Sequence, residues 1–115
     1  MLKIGVLGAG HLGKIHINCI KQIDKYQLAG FFDQDKATAR EEEENTNVKC
    51  FASIDELIDN VDVVDIVTPT IAHFACASNA LKKGKHVFIE KPIVATVEEA
   101  NALIKIANEA KVKVQ

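Results

Sequence analysis

Lys91 is the residue most clearly placed to do chemistry. It stands in Glu90-Lys91-Pro92, directly after a short apolar run that reads as a strand, so it falls at a strand tip. A lysine there, desolvated against a ligand, can act as an acid or base or as an electrostatic anchor. A charged surface turn is the plainer alternative. Glu90 points to the opposite side of the strand, so the two side chains need not pair. Pro92 suits a tight turn closed by a cis bond.

A second constellation is Gly8-Ala9-Gly10-His11-Leu12-Gly13, a G-x-G-x-x-G pattern between a strand and a helix. Gly8 permits a tight turn, Gly10 lets backbone approach a pyrophosphate, and Gly13 lets the helix pack closely on the sheet. The amides that open the helix, from His11 and Leu12 onward, point at the anion with the helix dipole behind them. Asp33 lies 20 residues beyond Gly13, at the end of the next strand. A carboxylate there accepts both adenosine ribose hydroxyls. A 2′-phosphate would meet like charge, and Gln34 and Asp35 supply no arginine, so NAD is favoured over NADP.

Other tips leave alternatives open. Thr68-Pro69-Thr70 could shape the floor under the nicotinamide ribose or simply end a strand and start a helix. His73 could reach the cleft or cap its own tip internally. His11 could contact the pyrophosphate or contribute only its amide. His16 and His86 read as packing or surface residues, and four scattered histidines without a carboxylate cluster make no metal site.

The elements that must position these residues alternate along the chain. Leu2 to Leu7, Gln27 to Phe32, Val48 to Phe51, Val61 to Val67 and His86 to Ile89 read as strands, with Val112 and Val114 beginning a sixth. Helical spacing links Leu12, Ile15, Cys19, Ile20 and Ile23. A charged helix runs from Lys36 to Glu44 behind an Asp35 cap, its Glu41–Glu44 run solvated. Capping boxes at Ser53 and Thr96 open two more helices, and Val97, Ala100, Ile104 and Ala107 share a face of the second. Thr70 to Lys83 forms another, stopped by Gly84. Apolar strands alternating with helices predict an α/β domain, a doubly wound Rossmann-type parallel sheet with helices on both faces.

At 115 residues, 48% hydrophobic and 26% charged, the chain has one core's worth of globular material, too little for both a cofactor cradle and a walled substrate pocket. Fourteen basic against 16 acidic residues give a net charge of -2. That leaves no basic footprint for nucleic acid and no polybasic patch for a membrane. Cys19, Cys50 and Cys76 are irregularly spaced and read as buried, reduced thiols of a cytoplasmic protein. The apolar start is too brief for a signal peptide or a membrane span.

Three segments together resemble the N-terminal domain of the Gfo/Idh/MocA oxidoreductases, which include glucose–fructose oxidoreductase and inositol 2-dehydrogenase. They are Gly8 to Gly13 with Asp33, Thr68 to His73, and Gly84 to Pro92, and the last is the most specific. The resemblance runs from Leu2 to Gln115. It implies a nucleotide-binding Rossmann domain of an NAD(P)-dependent dehydrogenase acting on a CH–OH or C=O group of a sugar, cyclitol or related polyol. It also implies that Lys91 sits near nicotinamide and substrate, that Glu90 and His73 lie near the cofactor, and that Thr68-Pro69 lies beneath its nicotinamide end. Ile71 departs from the polar residue many relatives carry. The second domain, which would complete the catalytic groups, the substrate pocket and the homo-oligomer interface, has no counterpart in these residues. The isolated chain is therefore expected to be inactive. The alternative is a stand-alone, non-catalytic dinucleotide-binding or sensing module.

Overall fold

Four short, mostly apolar runs build the sheet: β1 (Leu2–Leu7), β2 (Tyr26–Phe32), β3 (Val63–Ile66) and β4 (His86–Ile89). The computed structural model, which describes every residue from Met1 to Gln115, pairs them in parallel in the order β2-β1-β3-β4. Parallel neighbours cannot be joined by tight turns, so helices make the crossovers. These are α1 (His11–Ile20), α2 (Lys36–Thr46), α3 (Ile54–Asp59) and α4 (Thr70–Lys82), and α5 (Val97–Ala110) follows β4.

Strand alternation sends the apolar side chains to two cores. On one face Leu7, Val64, Ile66, Val87 and Ile89 pack with Leu57, Leu81 and Leu103 of α3, α4 and α5. On the other, Ile4, Val6 and Val63 pack with Ile17 and Ile20 of α1 and Ala39 of α2. The sheet is thus doubly wound, as the alternation predicts. Beside α1, the second face is less completely covered. Val63 and Asp65 of β3 and His86 and Phe88 of β4 there help line an open apolar groove of about 580 Å³.

Several expectations need correction. Val48 to Phe51 is not a strand: only a single bridge joins Cys50 to Phe31. The Val112–Val114 stretch likewise contributes one bridge, Val114 to Val87. Both lie at sheet edges, where pairing from one side alone sustains little regular ladder. α1 ends at Ile20, leaving Ile23 outside it. β3 is shorter than the apolar run that contains it: at its start Val61 lies in a turn, its amide donating to Ile58 O. The inward face of α5 is Ala100, Leu103 and Ala107, while Val97 and Ile104 are exposed; α5 packs against α4, which rotates its buried stripe. Glu42 is buried within the acidic run, and Glu43 accepts a hydrogen bond from the Cys50 amide at 2.8 Å. Of the three cysteines only Cys76 is buried, and all are unpaired.

Leu57 of α3 is fully buried against Gly5 of β1. Leu57→Ala is expected to cost about 2–5 kcal/mol, read as a lower urea midpoint.

Candidate functional site

Register brings the strand tips together. Leu7 lies opposite Phe32 on one side and Ile66 on the other, and Ile66 lies opposite Ile89. The residues that follow continue the ladder: the Gly8 amide donates to Phe32 O at 2.8 Å, Val67 to Leu7 O at 2.8 Å, and Glu90 to Ile66 O at 3.1 Å. Asp33, Gly8, Thr68 and Lys91 therefore share one edge.

At the first tip, Gly8 has φ of +103°, and a Cβ there would stand 2.7 Å from the Val67 carbonyl oxygen. A Cβ on Gly13 would overlap the carbonyl oxygen of Gly8 itself. Both positions need glycine for packing reasons alone. Gly10 differs: a Cβ would meet nothing within 4 Å, so the space before the start of α1 is open and a side chain would fill it.

Helix capping singles out the same edge. Asp35 caps α2, Ser53 caps α3 and Thr96 caps α5 through their side chains. No side chain caps α1 or α4, which begin after the adjacent strands β1 and β3. Those two helices pack on opposite faces of the sheet, so their free amides flank the crevice where the winding reverses. An anion between them would meet two positive helix ends. The open cradle at Gly10 and the uncapped α1 amides fit a diphosphate.

Asp33 is half-buried and already engaged. Its Oδ2 accepts from the Ala9 amide at 2.7 Å and its Oδ1 from the Asp35 amide at 2.8 Å. The carboxylate thus ties the second tip to the glycine loop, while each oxygen keeps a lone pair for a hydroxyl donor. His11 and Leu12 are exposed at the mouth of the loop, Pro69 is exposed and Thr70 half-buried. The Thr68 hydroxyl is buried without a partner. Ile71 is 87% exposed on the first turn of α4.

His73 is buried and faces inward. Its Nε2 lies 2.8 Å from Thr68 O, and its Nδ1 3.0 and 3.2 Å from the carbonyl oxygens of Pro92 and Ile93. It joins two tips instead of lining the crevice. Lys91 is exposed, its ammonium makes no hydrogen bond or ion pair, and the peptide to Pro92 is cis. The Lys91 amide donates to Glu90 Oε2 at 3.0 Å.

Two residues escaped the sequence reading. His16 Nδ1 lies 2.8 Å from Asp65 Oδ2, and its Nε2 lies 2.8 Å from Glu90 Oε1. Asp65 is a buried carboxyl inside an apolar strand, and that anomaly was the available signal for a hydrogen-bonding partner nearby. Burial works against charge on His16, but Asp65 and then Glu90 outweigh it and raise its pKa above the ordinary 6.5. Burial raises the Asp65 carboxyl even though His16 pulls the other way. The hydrogen bonds from His16 and from the Lys91 amide lower Glu90. His86, by contrast, accepts the Lys113 amide at 3.0 Å and secures the terminal bridge.

A glycine turn, uncapped helix ends at the winding reversal and an acidic second tip define a dinucleotide-binding Rossmann domain. Residues 2–115 match the family model described as "Oxidoreductase family, NAD-binding Rossmann fold". The chain belongs to this family, the Gfo/Idh/MocA oxidoreductases. It is 44% identical over 108 residues to UDP-N-acetylglucosamine 3-dehydrogenase of Acidithiobacillus ferrooxidans, covering 94% of this chain and 34% of that protein. A crystal structure of that dehydrogenase superposes with a TM-score of 0.91 at 42% identity, over 98% of this chain and 36% of the other. Glucose-6-phosphate 3-dehydrogenase of Bacillus subtilis is 33% identical, over 98% of this chain and 32% of its own length. The structure of GenD2 from gentamicin A biosynthesis in complex with NAD gives a TM-score of 0.91 at 25% identity, over 98% of this chain and 33% of that one. The chain spans about a third of the length of the relatives it matches. No helix is long and apolar enough to cross a membrane.

The raised His16 pKa has a definite sign for stability. The folded state holds a proton that the unfolded chain releases, so stabilisation is full below the ordinary histidine value of 6.5 and is lost as pH rises through the folded value. Urea midpoints should therefore fall from mildly acidic to alkaline pH, and His16→Gln should flatten that slope.

Proposed function

We propose that this chain is the cofactor half of an NAD-dependent dehydrogenase acting on a carbon–oxygen bond of a sugar, cyclitol or related polyol. The observation that carries the reading is the open cradle at Gly10 before the uncapped start of α1, one strand away from the Asp33 carboxylate. The kinds of substrate named for the sugar dehydrogenases among its relatives support the substrate class. When bound, NAD supplies the hydride acceptor.

Gly10 and the amides of His11, Leu12 and Gly13 hold the pyrophosphate. Asp33 accepts the adenosine ribose hydroxyls through its remaining lone pairs and repels a 2′-phosphate, so NAD is preferred. Thr68, Pro69 and Thr70, with the start of α4, border the nicotinamide end. His73 acts behind them by joining the Thr68 and Pro92 tips. Lys91, which has no side-chain partner inside the domain, takes the substrate hydroxyl proton as a neutral amine during oxidation and returns it as an ammonium in the reverse direction, and Glu90 sets the Lys91 backbone. A second domain completes the substrate pocket and the homo-oligomer contact. The three unpaired cysteines suit the cytoplasm.

Titration calorimetry should find NAD binding by the 115-residue chain, with no turnover across a panel of sugars and inositols. Gly10→Val should lower NAD affinity by about tenfold or more, about 1.4 kcal/mol, while the urea midpoint falls only by what a poorer N-cap of α1 costs, about 1 kcal/mol. Turnover by the chain alone, or undiminished binding by the variant, contradicts the assignment.

NAD should also bind more tightly than NADP. Asp33→Ser should narrow the difference and weaken NAD binding by about 1–3 kcal/mol, through lost hydrogen bonds and a loosened glycine loop. Equal affinities in the unmutated chain would overturn the preference.

A further inference from the structure

We propose that His16 is a positioning residue for Lys91, holding the tip after β4 through Glu90, and that the proton on its ring sets how firmly that tip is held. The inference rests on the role given above to Lys91.

Glu90 is gripped at both oxygens. Oε1 meets His16 Nε2 at 2.8 Å, and Oε2 accepts the Lys91 amide at 3.0 Å. The carboxylate therefore links the ring on α1 to the peptide group that carries the Lys91 side chain. On the far side of Lys91, the carbonyl oxygens of Pro92 and Ile93 lie 3.0 and 3.2 Å from His73 Nδ1 of α4. A histidine from each helix layer thus brackets Lys91.

The His16 clamp depends on a proton. Both ring nitrogens face carboxylate oxygens, which only accept when ionised. Only the imidazolium donates on both sides; the neutral ring serves one. The Asp65 side chain is 3% exposed and its Oδ1 has no partner, whereas the Glu90 side chain is 28% exposed. With a single N–H left, the buried carboxylate suffers more from losing it. Glu90 is the one released to water, and Lys91 then loses its tether to α1.

The groups around the ring are few. Asp65 approaches from β3 and Glu90 from the β4 tip, while the ring of Phe88 packs edge-on at 6.1 Å. Cys19 of α1, Tyr26 of β2, His86 of β4 and Lys113 complete the titratable lining of the groove. None of these four bonds to His16. The raised pKa of His16 agrees with a ring held charged by its two neighbours.

Heteronuclear NMR of the 115-residue chain tests the link, following the His16 ring and the Lys91 amide from about pH 5 to about pH 9. The Lys91 amide should move with the His16 midpoint, above 6.5. His16→Gln should erase that midpoint at Lys91. Glu90→Gln should lower the His16 midpoint and uncouple the amide, and it serves where the first variant folds poorly. A Lys91 amide that titrates identically in His16→Gln, or a His16 midpoint unmoved by Glu90→Gln, overturns the proposal. NAD binding measured on the same sample separates the two readings. Coupling without NAD binding sinks the assigned function alone; NAD binding without coupling sinks this inference alone.

Discussion

The carbonyl of Gly8 lies so close under α1 that Gly13 cannot carry even a methyl group, and Gly8 itself is wedged against the Val67 carbonyl. Three elements, β1, α1 and the tip of β3, converge there with no side chain between them. Much of the domain depends on that contact. It drives the start of α1 down onto the sheet edge and sets the height at which its amides emerge. One helical turn further on, it brings His16 within reach of Asp65 and Glu90, which belong to two other strands. An α1 pushed outward by a side chain would lose the amide cradle and the histidine bridge together.

The carboxyl edge is held by a different physics from the cores. Below it, Leu7, Ile66 and Ile89 stabilise by excluding water. At the edge itself the tips remain open to solvent, and polar anchors take over. Asp33 fastens the Ala9 amide, His73 sits within hydrogen-bond distance of both the Thr68 and Pro92 carbonyls, and Glu90 fastens the Lys91 amide. Such anchors are directional, so they fix the orientation of groups that apolar packing would leave free to rotate. An edge built this way can present backbone amides and an ammonium to water without losing its shape.

The central strands were legible in the residue order, because most of their apolar residues are buried by neighbours on both sides. The residue order overextended the sheet at Val48 to Phe51 and at Val112 to Val114, where apolar residues at an edge form only one bridge each. It placed the glycine loop and Asp33 at neighbouring strand tips, where the structure also has them, since fixed spacing within one βαβ unit brings them together. His16, Asp65 and Glu90 were not legible as a group. They are separated by 49 and 74 positions from His16, and only the strand register shows that they meet. The inward turn of His73 was equally hidden, because one turn of helix places it near the tip whichever way the ring points.

α1 and α4 start without the side-chain cap that stabilises α2, α3 and α5. A dinucleotide bound at the proposed site does for them what Asp35, Ser53 and Thr96 do elsewhere. The cofactor is then also a folding ligand. At about a hundred times its dissociation constant it would add about 2.7 kcal/mol to stability. Differences of about 1–2 kcal/mol change cellular abundance several-fold. The amount of folded protein would follow the nicotinamide nucleotide pool, so a cell short of the nucleotide would hold less of the domain that uses it.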